Sequence, residues 1–396
     1  MSVHANTDAP SPKPLRLPHY HGDRLLWRRC SRCVMDTTDP AIRFDSNGVC
    51  NHCINYLERM QAEVPGAAEA RRLLDRAINQ IGDSGRNLEY DCVAGISGGM
   101  DSTYVVLQLK RLGLRPLAVH FDNGWNSELA VTNIKRTLDK LGVELHTEVV
   151  DWEEFRELQI SFLKASVPNC EIPTDHGITA TLVRTAAKVG TPYVVNGSNV
   201  RTEGILPISW VFYSHDLRHI HDIHRRFSSS SLKTFPQLPL GIFAWKILSG
   251  RYRMFNLLNF LPYERQSVIH DLEQSVGWQN YGGKHYESVY TRWYQGYYLP
   301  AKFGFDKRKA HLSALLCSGQ ITRCAAIEAL ERSPYESLDL RADVEFVLNK
   351  LQLSEAEFES ILNAPNRTHL EYRNSAWMIE RMSRLRVFLR QRAKRI

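Results

Sequence analysis

The chain has 396 residues, of which 43% are hydrophobic and 23% charged, which is enough to bury more than one core and excludes a disordered or fibrous chain. No stretch reaches the roughly 20 apolar residues of a membrane span, and the N-terminal MSVHANTDAPSPKPLRLPHYHG, rich in Pro and polar residues, lacks the apolar core of a secretory signal. The net charge of +7 is matched by the seven Arg and Lys of the acid-free segment 381–396, so the body is close to neutral, and composition alone predicts no nucleic-acid partner.

Residues 1–24 read as a disordered lead and the protein as cytoplasmic. The first ordered stretch is RRCSRCVMDTTDPAIRFDSNGVCNHC, residues 28–53. Cys30 and Cys33 form one CxxC and Cys50 and Cys53 a second, with sixteen residues between them that include the turn signal Asn47-Gly48. Two thiolate knuckles joined by a hairpin give tetrahedral zinc held by four cysteines in a closed, structural site. A redox dithiol or an iron–sulfur cluster is the alternative. The zinc ribbon is assigned to residues 25–66. The remaining cysteines, Cys92, Cys170, Cys317 and Cys324, are scattered and read as buried thiols rather than disulfide partners.

An amphipathic helix over 67–82 leads to DCVAGISGGMDS, residues 91–102, around which the chain is organised. An apolar run ends in Ser97-Gly98-Gly99 and an amphipathic segment begins at once, which is strand, tight turn and helix. Paired glycines admit positive φ and a close ligand, while the new helix aims free N–H groups into the turn. Such a turn cradles phosphate. Ser97, Gly98, Gly99, Met100, Asp101 and Ser102 are the candidate nucleotide-binding residues, and Asp101, a carboxylate beside phosphates, is the candidate Mg²⁺ ligand. Strand 114–122, helix 127–141, strand 143–150, helices 153–165 and 175–189 and strand 192–198 then alternate. This predicts an α/β fold with a doubly wound parallel sheet over 67–210, whose ligands bind beyond the carboxyl ends of the strands. Asp122 after the second strand, and Gly197 and Asn199 after the fourth, join the nucleotide-site candidates, with Glu203 close behind.

From about residue 211 to 364 the pattern is mainly helical, aromatic and basic. His215, His219, His221 and His224 read as a polar helix face rather than a metal site. Farther on, WQNYGGKHYESVYTRWYQGYYLP precedes Asp306, Lys307, Arg308, Lys309 and His311. Stacking rings and clamping cations suit a nucleotide sugar, and a tyrosine-rich core with a solvated basic turn is the alternative. In the basic tail, 365–396, Met382, Leu385, Phe388 and Leu389 recur at helical spacing. That helix packs on its own domain or makes weak contact with an anionic membrane surface.

SGGMDS lacks the Lys of a Walker loop and resembles the PP-loop of the ATP pyrophosphatases, which cleave ATP between the α and β phosphates and adenylate a carbonyl oxygen. Across nearly the whole chain, RRCSRCVMDTTDP, GVCNHC, GISGGMDS, CEIPTDHGITA, NGSNVRTEGILPISW, YGGKHYES and FDKRKAHLSALLCSGQITR resemble the N-acetyl sugar amidotransferases of bacterial surface-polysaccharide biosynthesis, the pathway class of LPS O-antigen. The resemblance implies ATP, Mg²⁺ and structural Zn²⁺ as cofactors. It implies conversion of an acetamido group of a nucleotide-linked sugar to an acetamidino group through an O-adenylyl imidate and ammonia. Asp101, His176, Glu203 and Lys284 are then the catalytic candidates, with His176 or Glu203 as base and Lys284 as a cation for departing pyrophosphate. Asp175, His285, Tyr286, Lys307 and Arg308 are the substrate-binding candidates. Ser2 follows Met1 and the unpaired cysteines sit in no nucleophile elbow, so a separate glutaminase subunit is the expected source of ammonia, and the resemblance implies that a cyclase-like partner accompanies it. The rival reading is a PP-loop tRNA-thiolating enzyme, which would bring further catalytic cysteines and a basic surface.

Overall fold

A computed structural model describes residues 27–283, 286–336 and 338–381. Lys284 and His285, both singled out from sequence, lie outside the described residues, as do the N-terminal lead and most of the basic tail.

Five parallel strands form one sheet. They are β1 (Cys92–Gly95), β2 (Pro116–Asp122), β3 (Leu145–Val149), β4 (Tyr193–Asn196) and β5 (Arg253–Asn256), in the spatial order β3-β2-β1-β4-β5. The chain winds outward from β1 to β3, then crosses back to β4 on the other side of β1. That reversal makes the gap between β1 and β4 the switch point at which doubly wound sheets bind ligands. β1 and β2 are buried over nearly their whole length, as central strands covered on both faces must be, whereas exposure alternates along the edge strand β3.

The helices lie where the apolar periodicity puts them. Met100–Arg111, Glu128–Leu141, Trp152–Lys164 and Ile172–Val189 cover the sheet. Ser127 caps the second by accepting the Ala130 N–H, and Gly142 ends it in the left-handed region. The sequence pattern stops the βα rhythm at residue 211, yet β5 arises well beyond that point and pairs with β4 in register Val194↔Met254. Its four residues, RMFN, carry too little apolar signal to be read locally, and β4 supplies the partner.

The N-terminal region holds less regular structure than a hairpin. Two isolated bridges, Arg29↔Asp36 and Phe44↔Cys50, frame the knuckles, and the second knuckle runs straight into a helix, Asn51–Glu63. This region and the C-terminal helices share one core. The four paired cysteines pack in a continuous cluster with Trp210, Tyr290, Trp293, Tyr294, Tyr298 and Phe358. The dense tyrosines are therefore interior: Tyr290 stacks on Tyr294 at 6.1 Å and Trp293 on Tyr298 at 5.5 Å. The core alternative accounts for these rings, and none of the three tyrosines faces a ligand site. Lys350 ties the C-terminal helices to the loop after β2. Its ammonium lies over Trp125 at 5.1 Å and Trp152 at 5.0 Å and donates to the Gly124 carbonyl.

The histidine run also folds inward. His219 is buried and shares a hydrogen bond of 3.2 Å with His369, whose other ring nitrogen accepts the Asn169 N–H. His221 meets the Gln237 amide, His224 the Ser230 carbonyl, and His215 packs against the Phe243 ring, so the four rings face different neighbours. Burial lowers His176 and His219 to about 4 and holds His369 well below the usual value. All three are neutral in the fold and gain protons on unfolding, so their stabilising contribution is complete above about pH 6.5 and is lost as pH falls towards 4. Denaturant unfolding at pH 5 is expected to show a loss on the order of 2 kcal/mol per buried histidine relative to pH 7.5. His219→Gln should flatten that pH dependence.

Candidate active site

The loop between β1 and the helix Met100–Arg111 is held by short-range contacts that only its sequence permits. Gly98 has φ +79, and a Cβ there would lie 2.4 Å from the Ala130 carbonyl oxygen. Backbone strain and backbone collision both demand glycine. Gly99 differs: it is the N-cap residue with φ −70, and a Cβ would meet Glu287, Ser97 and Tyr281 side-chain oxygens at 3.0–3.1 Å. The Ser97 N–H donates to Ser102 Oγ at 3.1 Å, and Ser102 Oγ donates to the Gly99 carbonyl at 3.1 Å, which closes the turn.

The amides at the helix start point into this turn. The Gly99 N–H donates to Ser97 Oγ at 3.3 Å and the Met100 N–H to the Tyr281 hydroxyl at 3.1 Å. Trp278 Nε1 donates to the Gly98 carbonyl at 2.9 Å, and Ser97 Oγ approaches Glu287 Oε1 at 3.4 Å. Trp278, Tyr281 and Glu287 thus strap the loop from the C-terminal side. The Ser127 N–H, donating to the Glu287 carbonyl at 2.8 Å, fixes the strap's end.

Beside the loop, Asp101 accepts a hydrogen bond from the Tyr263 hydroxyl. Burial, reinforced by the Asp101 carboxylate, pushes the Tyr263 phenol far above its usual range and keeps it a donor. Gly197, just beyond β4, lets its loop touch this helix: a Cβ would lie 3.0 Å from Asp101 Cβ and 3.1 Å from the Ser102 nitrogen. One residue farther on, a cavity of about 330 Å³ opens. Its walls come from three parts of the chain: Arg59 and Glu63 from the helix after the second knuckle, Asn199 and Glu203 from beyond β4 with Asn256 at the end of β5, and Gln295, Lys307 and His311 from the C-terminal region. Asn199 Oδ1 caps the helix Val200–Glu203 by accepting the Thr202 N–H at 2.9 Å. Asn199 Nδ2 and Asn256 Oδ1 are buried without a hydrogen-bond partner among the described residues. A vacant donor and a vacant acceptor in one cavity wall fit a polar ligand.

The remaining sequence candidates are dispersed. His176 is buried, with Nδ1 2.8 Å from the Ser214 carbonyl and Nε2 accepting the Leu238 N–H at 3.1 Å. Both ring nitrogens are occupied by backbone, so the ring has no lone pair to offer a substrate. Asp175 is exposed on the first turn of the helix Ile172–Val189 and does not line the cavity. The Arg308 guanidinium is taken up by Asp306 and the carbonyls of Ala329 and Arg332. Lys309 pairs with the buried Asp36 at 2.7 Å, and the Tyr286 hydroxyl donates to the Pro334 carbonyl at 3.2 Å. Asp122 accepts from the Gly124 N–H at 2.9 Å and from Asn126 Nδ2 at 3.2 Å, so it organises its own loop. Of the basic run, Lys307 and His311 reach the cavity. Sequence reasoning missed Arg59, Tyr263, Asn256 and Gln295. Tyr281 and Glu287 lie in the quoted YGGKHYES stretch, where they went unremarked.

Cys30, Cys33, Cys50 and Cys53 are buried with all four Sγ atoms within 4.8 Å of one another. Neighbouring sulfurs lie 3.6–3.9 Å apart, the edge length of a tetrahedron with a metal–sulfur distance of about 2.3 Å. Backbone N–H groups of Cys33, Met35 and Cys50 donate to ligand sulfurs at 3.2–3.4 Å, the outer-shell support a thiolate site requires. The donor set fits zinc. Cys317, read from sequence as one more scattered thiol, lies at 3.8 Å from Cys53 Sγ and outside the set.

Strand, glycine turn and helix at the switch point of a parallel sheet define a PP-loop ATP-pyrophosphatase domain, and residues 91–185 match the family described as "Queuosine biosynthesis protein QueC". Residues 287–386 match "LPS biosynthesis protein WbpG-like, C-terminal domain". The chain thus carries a QueC-like domain and, farther on, a segment similar to the C-terminal domain of WbpG-like LPS biosynthesis proteins. No curated protein matches it. A solved structure titled as a predicted subunit of tRNA methyltransferase from Methanocaldococcus jannaschii aligns at 12% identity over 46% of this chain and 75% of that one, with a TM-score of 0.27. So low a score carries no argument. Among the described residues no helix is long and apolar enough to cross a membrane.

Gly98→Ala is expected to cost at least about 2 kcal/mol of stability and to abolish ATP binding. Gly99→Ala should fold normally and weaken ATP binding alone, which calorimetry and thermal melts on both variants would resolve. Cys50→Ser should lose zinc by metal analysis and roughly 2 kcal/mol or more of stability. Cys317→Ser should keep its zinc.

Proposed function

We propose that this protein is an ATP-dependent amidotransferase that converts an acetamido group of a nucleotide-linked sugar to an acetamidino group. The observation that carries the reading is the cavity one residue from the Gly197 contact with Asp101, with cationic side chains, a vacant amide donor and a carboxylate in its walls. An adenylating loop beside a second polar pocket suits attack by a bound carbonyl oxygen on the α-phosphorus of ATP. That bond forms as the bond to the bridging oxygen breaks and pyrophosphate leaves. The acetamido carbon becomes an O-adenylyl imidate, ammonia adds to it, a base removes one proton from the new nitrogen, and AMP departs with the former acetamido oxygen.

In this reading the Gly99 and Met100 amides exchange Ser97 Oγ and the Tyr281 hydroxyl for phosphate oxygens. Mg²⁺, held by Asp101, would supply positive charge to the departing pyrophosphate. Arg59 and Lys307 suit the anionic carrier of the sugar, and Asn199 suits the acetamido oxygen. Glu203 is the base this arrangement favours, since it lines the cavity and His176 does not. Cys92 and Cys170 are fully buried, and burial pushes both thiols up. Neither suits glutamine hydrolysis, which supports a separate glutaminase subunit as the source of ammonia; the cyclase-like partner rests on the family resemblance alone.

The test is to incubate the protein with ATP, Mg²⁺, ammonium and a panel of UDP- and CMP-linked acetamido sugars. AMP and a sugar lighter by about one mass unit are expected, with no turnover when glutamine replaces ammonium. AMP release indifferent to every acetamido sugar would overturn the assignment. Glu203→Gln should lower kcat about 100-fold or more with little change in the KM for ATP.

A further inference from the structure

A helix that is apolar on every side belongs in an interior, yet Leu240–Leu248, LGIFAWKIL, lies on the surface. Its inner face, Phe243 and Ile247, packs with Tyr252 and Val194 against β4. Its outer face is apolar as well: Ile242 is 49% exposed, Trp245 50% and Leu248 85%, spaced three apart and hence on one side. Met254 on the edge strand β5 adds a further exposed apolar side chain. Along this stretch of the sequence the charge is of one sign. From Ile223 to Tyr263 the chain carries Arg225, Arg226, Lys233, Lys246, Arg251 and Arg253 and no carboxylate. Asp222 engages Arg225 and Arg226, whereas Lys233, Lys246, Arg251 and Arg253 have no ion-pair partner among the described residues. The Arg251 guanidinium lies 4.8 Å from the Trp245 ring centroid, at the border between the apolar face and the charges.

We infer that this face docks on an anionic phospholipid surface, with Ile242, Trp245 and Leu248 entering the headgroup boundary and Lys246, Arg251 and Arg253 meeting the lipid charges. Apolar anchors with an amphipathic tryptophan, flanked by cations without carboxylate partners, are the chemistry of a helix lying in a bilayer interface. A second copy of the chain is a poorer occupant, because a two-fold interface would set these cations against their own images. None of Ile242, Trp245, Leu248 and Met254 lines the cavity.

Cosedimentation of the full chain with vesicles tests this. Binding to phosphatidylcholine vesicles containing phosphatidylglycerol is expected, with little binding to phosphatidylcholine alone. Trp245→Glu combined with Leu248→Glu should weaken it at least about ten-fold while the thermal melt stays at its parental midpoint, since both side chains are half exposed or more. Leu248→Gln, a milder change, should weaken it in the same direction. The tail is present in every variant, so vesicle binding that survives both substitutions would assign binding to the tail and overturn the inference. Failure of the parent to bind, equal binding to both vesicle types, or a dimer in solution that the Glu variants dissociate would overturn it too.

Discussion

The structure depends on two close backbone approaches to the turn and helix that follow β1. At Gly98 the loop presses on the Ala130 carbonyl, and at Gly197 the next strand's loop presses on Asp101 and Ser102. Neither tolerates a side chain. Together they fix the amides of the loop, the Asp101 carboxylate and the mouth of the cavity relative to one another, because each belongs to a rigid element anchored within a residue or two of a contact. Catalysis by positioning needs this kind of over-determined backbone, and the Gly197 contact follows from the sheet order, which brings β1 and β4, far apart in sequence, side by side.

Around those contacts the three parts of the chain act as one body. Lys309 reaches the buried Asp36, the Ser209 hydroxyl donates to Asp39, and His52 pairs with the same carboxylate at 2.6 Å. These links hold the helix that bears Arg59 at the cavity wall. None of the four clustered cysteines lines the cavity. Through Asn51–Glu63 the cluster still sets where a cavity cation stands, so loss of metal should be felt in substrate affinity as well as in stability.

What was legible in the sequence is what short-range physics writes there. The glycine turn, the paired CxxC and the alternating βα pattern are local signals, and the first four strands and their helices lie within a few residues of where periodicity puts them. β5 was not legible, because RMFN becomes a strand only through its pairing with β4. His176 sits in a polar stretch that invites a catalytic role, and the Ser214 and Leu238 backbone groups that occupy its ring are remote in sequence. Arg308 and Lys309 read as ligand cations beside Lys307, and tertiary partners divide the run between structure and cavity. Cys317 lies 264 positions from Cys53, whose sulfur it touches, a proximity no spacing rule reaches.

The central claim is that the acetamido oxygen is activated as an adenylate beside the glycine loop. The most direct measurement carries ¹⁸O in the acetamido carbonyl of the nucleotide sugar and follows it by mass spectrometry through one turnover with ATP and ammonium. The account predicts the label in the phosphoryl group of AMP and none in pyrophosphate. Label retained on the sugar, or released to water, would contradict it.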